Sequence, residues 1–220
     1  MNFMIPRPLP IGSKMLLASH NKGKMAEISD MLSGSGIEIV FARDLDLPEP
    51  VETEETLAGN ARLKAHSAAK ATGLPALADD SGLEIAALDG RPGVHTADWA
   101  EIEGTEYGQA GRDYKIAADR ILREIEEKGV QGEIKAAFKT VLCLAWPDGH
   151  DDLFTGETPG SFLRTPRGDN GHDLDPYFLP EGTNQTFAEI SMEEKNRLSS
   201  RAEAIQIFIE TCTPQKAPGM

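Results

Sequence analysis

Leu77-Ala78-Asp79-Asp80-Ser81-Gly82-Leu83 is an apolar, strand-like run that ends in two adjacent carboxylates and then Ser-Gly. Neighbouring residues of a strand point to opposite faces, so Asp79 and Asp80 address one ligand only if the chain turns there. Gly82 permits such a turn. Carboxylates at a strand end suit a hard divalent cation such as Mg²⁺, which prefers oxygen ligands and commonly sits over phosphates. A plain Asp-Ser-Gly turn that caps a strand fits the same residues.

A second chemical cluster lies upstream. Lys14-Met15-Leu16-Leu17-Ala18-Ser19 is an apolar run suited to a buried strand, followed by His20-Asn21-Lys22-Gly23-Lys24 and a helical stripe of Met25, Ile28, Met31 and Leu32. Free N–H groups at a helix start, together with Lys22 and Lys24, form a cationic island that would hold a phosphate chain. It is not a P-loop, because Met25 follows Lys24 and the upstream glycine spacing is absent. An ordinary solvated loop is the other reading. Asn60 and Lys64, four apart, share one helix face that is either solvated or turned to a ligand.

The elements that must position these groups follow from periodicity. Ile37–Phe41 reads as a strand and Asp46–Glu52 as an acidic, proline-stiffened loop. A Thr53 cap, with Glu54 and Glu55 in the first turn, starts a helix whose stripe is Leu57, Ala61, Ala65 and Ala68. After the Asp-Asp turn, Leu83–Leu88 resumes as strand, then an irregular stretch contains Trp99 and Tyr107. A helix from about Arg112 to Lys128 turns Ala117, Ile121 and Ile125 inward. Phe138–Trp146, apolar on both faces, reads as a central strand, and Pro147-Asp148-Gly149-His150 as a hairpin turn. A Gly- and Asp-rich loop spans residues 168–176, and the last helix turns Leu198, Ala202, Ile205, Ile209 and Cys212 inward.

Composition narrows the function classes. The 220 residues, 40% of them hydrophobic, can build one large domain or two packed lobes. A formal net charge of -14 opposes any sequence-independent grip on polymeric nucleic acid. Cys143 and Cys212 lie in apolar runs without metal-ligand spacing, which points to reduced thiols and a cytoplasmic protein. The opening stretch has prolines where a signal peptide needs a continuous apolar helix, and no run reaches membrane-spanning length. Residues 1–13 read as a flexible arm, 14–212 as a single two-lobed domain, and 213–220 as a frayed tail.

Taken together, Ser19-His20-Asn21-Lys22-Gly23-Lys24 with Glu27, Asn60-Ala61 with Lys64-Ala65, Ala78-Asp79-Asp80-Ser81-Gly82-Leu83, Pro92-Gly93, Asp175-Pro176, and Glu194-Lys195 with Ser199 and Arg201 resemble the inosine triphosphate pyrophosphatase family. The match in order and spacing runs from about Lys14 to Cys212. The resemblance implies an α/β, two-lobed fold around a long twisted mixed sheet with a central cleft, and a homodimer. It also implies Mg²⁺-dependent hydrolysis of a purine nucleoside triphosphate to monophosphate and pyrophosphate. The family's proton acceptor and metal-associated carboxylate falls on Asp80. Its phosphate loop falls on Ser19, His20, Asn21, Lys22, Gly23 and Lys24, with Asn60, Lys64 and Ser81 beside the phosphates. Glu49 and Glu52 are the candidates for a second metal contact.

Base recognition would fall on His172, Asp173, Leu174, Asp175, Lys195, Ser200 and Arg201, and here the chain departs from the family. His172-Asp173-Leu174-Asp175 replaces Phe-Gly-Tyr-Asp, leaving Leu174 and the smaller His172 ring as a thinner lid. Ser199-Ser200-Arg201 replaces Ser-His-Arg, Gly59 stands where Glu is usual, and Asp98 where Arg is. Two other readings stay open: the same chemistry on a different base, and a nucleotide sensor without turnover.

Overall fold

The computed structural model describes residues 6–102 and 111–213. Tyr107 and the tail beyond Thr213 lie outside the described residues. In chain order the elements are β1 (Lys14–Leu17), α1 (Lys22–Met31), β2 (Glu38–Phe41), α2 (Leu57–Thr72), β3 (Ala76–Ile85), β4 (Pro92–Gly93), α3 (Tyr114–Glu127), β5 (Lys135–Ala145), β6 (Asp151–Phe162), β7 (Phe178–Pro180), α4 (Met192–Leu198) and α5 (Ser200–Cys212).

These strands build a mixed sheet in the order β2-β1-β3-β5-β6-β7, with β4 on β3. β1 pairs in parallel with β2, Leu17 opposite Phe41, and with β3, Leu17 opposite Leu77. β4 and β7 pair antiparallel with β3 and β6. β5 takes an interior place and buries Thr140 to Ala145 without interruption, as an apolar pattern on both faces demands.

The chain divides into two compact units, crossing from one to the other within β3, β5 and β6 and again at the start of α5. The first holds the described residues up to Asp80, Thr140–Gly156 and those from Arg201 on. Its core gathers Met15, Leu17, Ile28, Leu77, Leu144, Phe154, Ile205 and Phe208. The second holds Ser81–Lys139 and Glu157–Ser200, with Leu83, Ile85, Ile121, Ile125, Phe162 and Phe178 in its core. Ala117, Ile121 and Ile125 of α3 all face inward, as their spacing predicts. Of the expected N-terminal arm, the described residues pack on the first unit. Leu9 is buried and its N–H donates to the Cys212 carbonyl at 2.7 Å, while the Arg7 guanidinium lies 4.9 Å from the Trp146 ring centre.

Three local expectations are corrected. The helix expected at Thr53 starts at Leu57, capped by Thr56, whose Oγ1 accepts from the Gly59 N–H at 3.0 Å. Glu54 is held outside it because its N–H donates to Asn60 Oδ1 at 3.0 Å. A Cβ on Gly59 would lie 2.6 Å from Glu54 Cβ, which accounts for Gly at that position. The last helix is two, parted by Ser199 in extended conformation, and Leu198 is 40% exposed rather than inward.

The third correction concerns the Asp-Asp run. β3 continues straight through Ser81 and Gly82 to Ile85, with no turn. Gly82 serves a close approach instead: a Cβ there would stand 2.1 Å from the Gly93 carbonyl oxygen on β4. Backbone cannot yield as a flexible side chain can. Gly82→Ala should therefore cost about 3 kcal/mol of stability, read as a lowered urea midpoint, and a change below about 0.5 kcal/mol would show that β4 gives way freely.

Candidate functional site

Because β3 stays extended, Asp79 and Asp80 point to opposite faces and each finds its own partners. Asp79 Oδ2 accepts from Lys24 Nζ at 2.9 Å and lies 3.6 Å from Arg201 Nε. The Arg201 guanidinium also donates to the Glu27 carboxylate in a buried ion pair. Lys24 and Glu27 share one face of α1, one turn apart. On the other face, Asp80 Oδ1 is 3.3 Å from Lys64 Nζ and Oδ2 accepts from Asn60 Nδ2 at 3.4 Å. Lys64 Nζ also donates to Glu52 Oε1 at 2.5 Å. All these residues belong to the first unit.

Asn60 and Lys64 are buried, so this helix face is turned to Asp80 rather than to water. The Thr56 cap sets the rotation that directs it there, and the small Ala61, Ala65 and Ala68 let α2 lie close against the core.

The two carboxylates differ electrostatically. Burial opposes charge on Asp79, but Lys24, Arg201 and Lys64 outweigh it and hold the carboxyl well below the usual range. Burial raises Asp80, Lys64 lowers it, and Glu52 pushes it up again, leaving its pKa at about 6. Burial likewise works against the Lys64 ammonium, yet Asp80, Asp79 and Glu52 together keep it charged beyond the ordinary lysine range. One ammonium shared between two carboxylates, Asp80 and Glu52, leaves negative charge in excess on this face. Hard oxygen donors in such surplus fit a divalent cation. No group of three or more His, Cys, Asp and Glu side chains is arranged as a metal cage among the described residues. An ion here would complete its shell with water or phosphate oxygens, as Mg²⁺ commonly does.

The loop after β1 is built differently from a bare cationic island. Asn21 caps α1, its Oδ1 accepting from the N–H groups of Gly23 at 2.9 Å and Lys24 at 3.1 Å, so two expected phosphate donors already have a partner. Ser19 is buried, and His20 Nε2 lies 2.8 Å from the Leu47 carbonyl oxygen. The Lys22 side chain lies outside the described residues. Of the two acids considered for a metal, Glu52 reaches Lys64, whereas Glu49 is exposed and faces His20 Nδ1 at 3.8 Å.

The residues expected to read a base separate into two sets. In the second unit, buried Asp175 accepts from Lys195 Nζ at 2.6 Å and from the His172 N–H at 2.8 Å. His172 Nδ1 is 2.9 Å from Asp173 Oδ2, and Asp173 takes a left-handed φ of 60°. Leu174 is 0% exposed inside that unit's core, so it is a packing residue and not a lid. Ser200, also buried, opens α5, and Ser81 is half-buried on β3. Arg201 belongs to the first unit, engaged with Glu27 and Asp79. Asp79, read from the sequence as one of two adjacent carboxylates that a turn could aim at one ligand, is held instead by Lys24 on its own face of β3.

The sequence matches the Ham1 family over residues 15–211. It is 49% identical over 201 residues to the dITP/XTP pyrophosphatase of Ruegeria pomeroyi, covering 91% of this chain and 96% of that protein. It is 50% identical over 206 residues to the dITP/XTP pyrophosphatase of Gluconobacter oxydans, covering 94% of each. Among solved structures, a HAM1 protein from Coxiella burnetii superposes with a TM-score of 0.80 at 34% identity, covering 90% of this chain and 96% of that one.

The raised Asp80 pKa makes a prediction about stability. Between the ordinary carboxyl value of 3.8 and about 6, the folded state binds more protons than the unfolded state, so stability falls as pH rises through that window and levels off above it. Asp80→Asn removes this loss, and Lys64 keeps Glu52 as a partner. In metal-free urea unfolding, the difference between variant and wild type should move in the variant's favour by about 2–3 kcal/mol from pH 4 to pH 7. A difference that stays constant over that range would remove the assignment.

Proposed function

The chain belongs to the Ham1 family, and from that premise we propose that it is a nucleoside triphosphate pyrophosphatase. It hydrolyses the non-standard purine triphosphates ITP, dITP and XTP to the monophosphate and pyrophosphate, clearing them from the nucleotide pool. The observation that carries this reading is the Asp80–Lys64–Glu52 group with Asn60 alongside, two carboxylates sharing one buried ammonium.

Asp80, with a pKa of about 6, is ionised yet still basic at neutral pH, which suits it to orient and deprotonate the attacking water. Lys64 and Lys24 supply charge to the phosphate oxygens, and Asn60 a neutral donor. Asp80 and Glu52 would hold Mg²⁺. When bound, the ion offsets charge on the phosphates and the leaving pyrophosphate. The acidic protein, net charge -14, is suited to a mononucleotide carried with its metal rather than to a polymer. Among the described residues no helix is long and apolar enough to cross a membrane. A cytoplasmic homodimer is the reading that the family membership suggests.

An oxo group at purine position six accepts hydrogen bonds, so a selective pocket presents donors to it. Lys195 keeps two N–H groups beyond the one given to Asp175 and is the donor best placed for that role. Ser200 offers a hydroxyl that donates or accepts, a weaker filter against an amino group than a histidine. Deaminated purines are therefore favoured over ATP and GTP, but by a narrower margin than the intact family motif gives.

Pyrophosphate release measured with ITP, dITP, XTP and the four ordinary triphosphates should be fastest with the first three. Asp80→Asn should lower turnover at least about 100-fold while nucleotide binding persists. Mg²⁺ should raise the Tm of the wild type and leave that of Asp80→Asn nearly unmoved. Binding without release from any of the seven would replace the enzyme reading with that of a nucleotide sensor.

A further inference from the structure

Glu27, Arg201, Asp79 and Lys24 form a chain of alternating charge that ties α1 and α5 to the middle of β3. Its members are buried unequally. Side-chain exposure is 6% for Glu27, 9% for Arg201 and 2% for Asp79, but 19% for Lys24. The two acids and two bases cancel, so the chain is neutral as a whole, and its open end is an ammonium. That ammonium has three N–H groups, and among the described residues it spends one on Asp79.

We propose that Asp79 is a positioning residue for the triphosphate site, fixing the Lys24 ammonium so that its two remaining donors meet the outer phosphates. The proposal rests on the pyrophosphatase reading above. Lysine is a flexible point charge that loses rotamer freedom when it is fixed, and a carboxylate that holds it in advance removes part of the cost of ordering it on binding. Asp79 also keeps that charge on its own face of β3. Asp80, on the opposite face, remains the partner of Lys64 and Asn60. Arg201 cannot substitute for Lys24, because its guanidinium is engaged between Glu27 and Asp79. Its role is to anchor the carboxylate that anchors the lysine.

A carboxylate that only stabilised the fold would move Tm and leave substrate parameters alone, or would act independently of Lys24. A double-mutant cycle on the full chain with Mg²⁺ and ITP separates these cases. Asp79→Asn should raise KM for ITP about tenfold, more than it lowers kcat, and should leave the affinity for IMP within about twofold. In a Lys24→Met background the same change should add less than about twofold to KM. A KM rise of equal size in both backgrounds, or none in either, overturns the proposal. If Asp79→Asn does not fold, Asp79→Glu takes its place in the cycle: it keeps the charge but displaces the carboxylate by one methylene. A KM rise that disappears with Lys24→Met supports the proposal, and an unchanged KM or a persistent rise refutes it. Failure of the wild type to release pyrophosphate from ITP would instead refute the pyrophosphatase reading, before any variant is compared.

Discussion

Two adjacent carboxylates on an unbroken strand cannot share an environment, and that constraint shapes everything around the middle of β3. Side-chain alternation sends Asp79 and Asp80 to opposite faces, and both are buried. A buried carboxylate without a counter-charge is costly by several kcal/mol, so each face must supply cations from another element. α1 and α5 supply Lys24 and Arg201 on one side; α2 supplies Lys64 on the other. The placement of three helices relative to one strand is thereby linked to the charges of two residues.

The supply is unequal, and function follows from the inequality. Asp79 has two cations close by and stays ionised, whereas Asp80 must share Lys64 with Glu52 and rises to about 6. Two chemically identical groups are thus pushed apart in basicity by their surroundings, the pattern by which one site obtains both a permanent charge and a proton acceptor. The water-activating role proposed for Asp80 falls on the carboxylate with the weaker compensation. Its shortfall of positive charge is also what makes the same place hospitable to a divalent cation.

Most elements were legible because their signals are local. The 3.6-residue stripe of Ala117, Ile121 and Ile125 needs no tertiary information to mark α3, and the two-sided apolar run of β5 marks an interior strand. What failed depended on distant partners. Thr53 and Thr56 are equally good caps by type, and the choice was made by the Glu54 N–H bonding to the Asn60 side chain. Gly82 can signal a turn or a close approach, and the Gly93 carbonyl that decides between them lies eleven residues on. Within the site, spacing put Asn60 and Lys64 on one helix face, but only the fold turns that face to Asp80, and no spacing rule distinguishes Glu49 from Glu52. The loop between them and α2 has to be folded before one acid reaches Lys64 and the other faces His20.

Motif correspondence transfers residue identity more safely than residue role. Leu174 occupies the place of a pocket tyrosine yet is sealed in the core of its own unit, as an aliphatic residue will be when it has no polar tip to keep at the surface. Arg201 occupies the place of a base-reading arginine, but its guanidinium donates to the buried Glu27 carboxylate and lies 3.6 Å from Asp79, and a buried arginine held between two carboxylates has little to gain by leaving them for one carbonyl. The departures at these positions therefore bear unequally on the two ends of the substrate. The phosphate end is specified by charges that must also be neutralised for the protein to fold, so substitution there is penalised twice. At the proposed base end, Ser200 and His172 can change without leaving a buried charge unpaired, whereas Lys195 and Asp175 form a buried ion pair and cannot. That difference in energetic consequence is a physical reason for the buried charge pairs to hold their residue types while Ser200 and His172 vary.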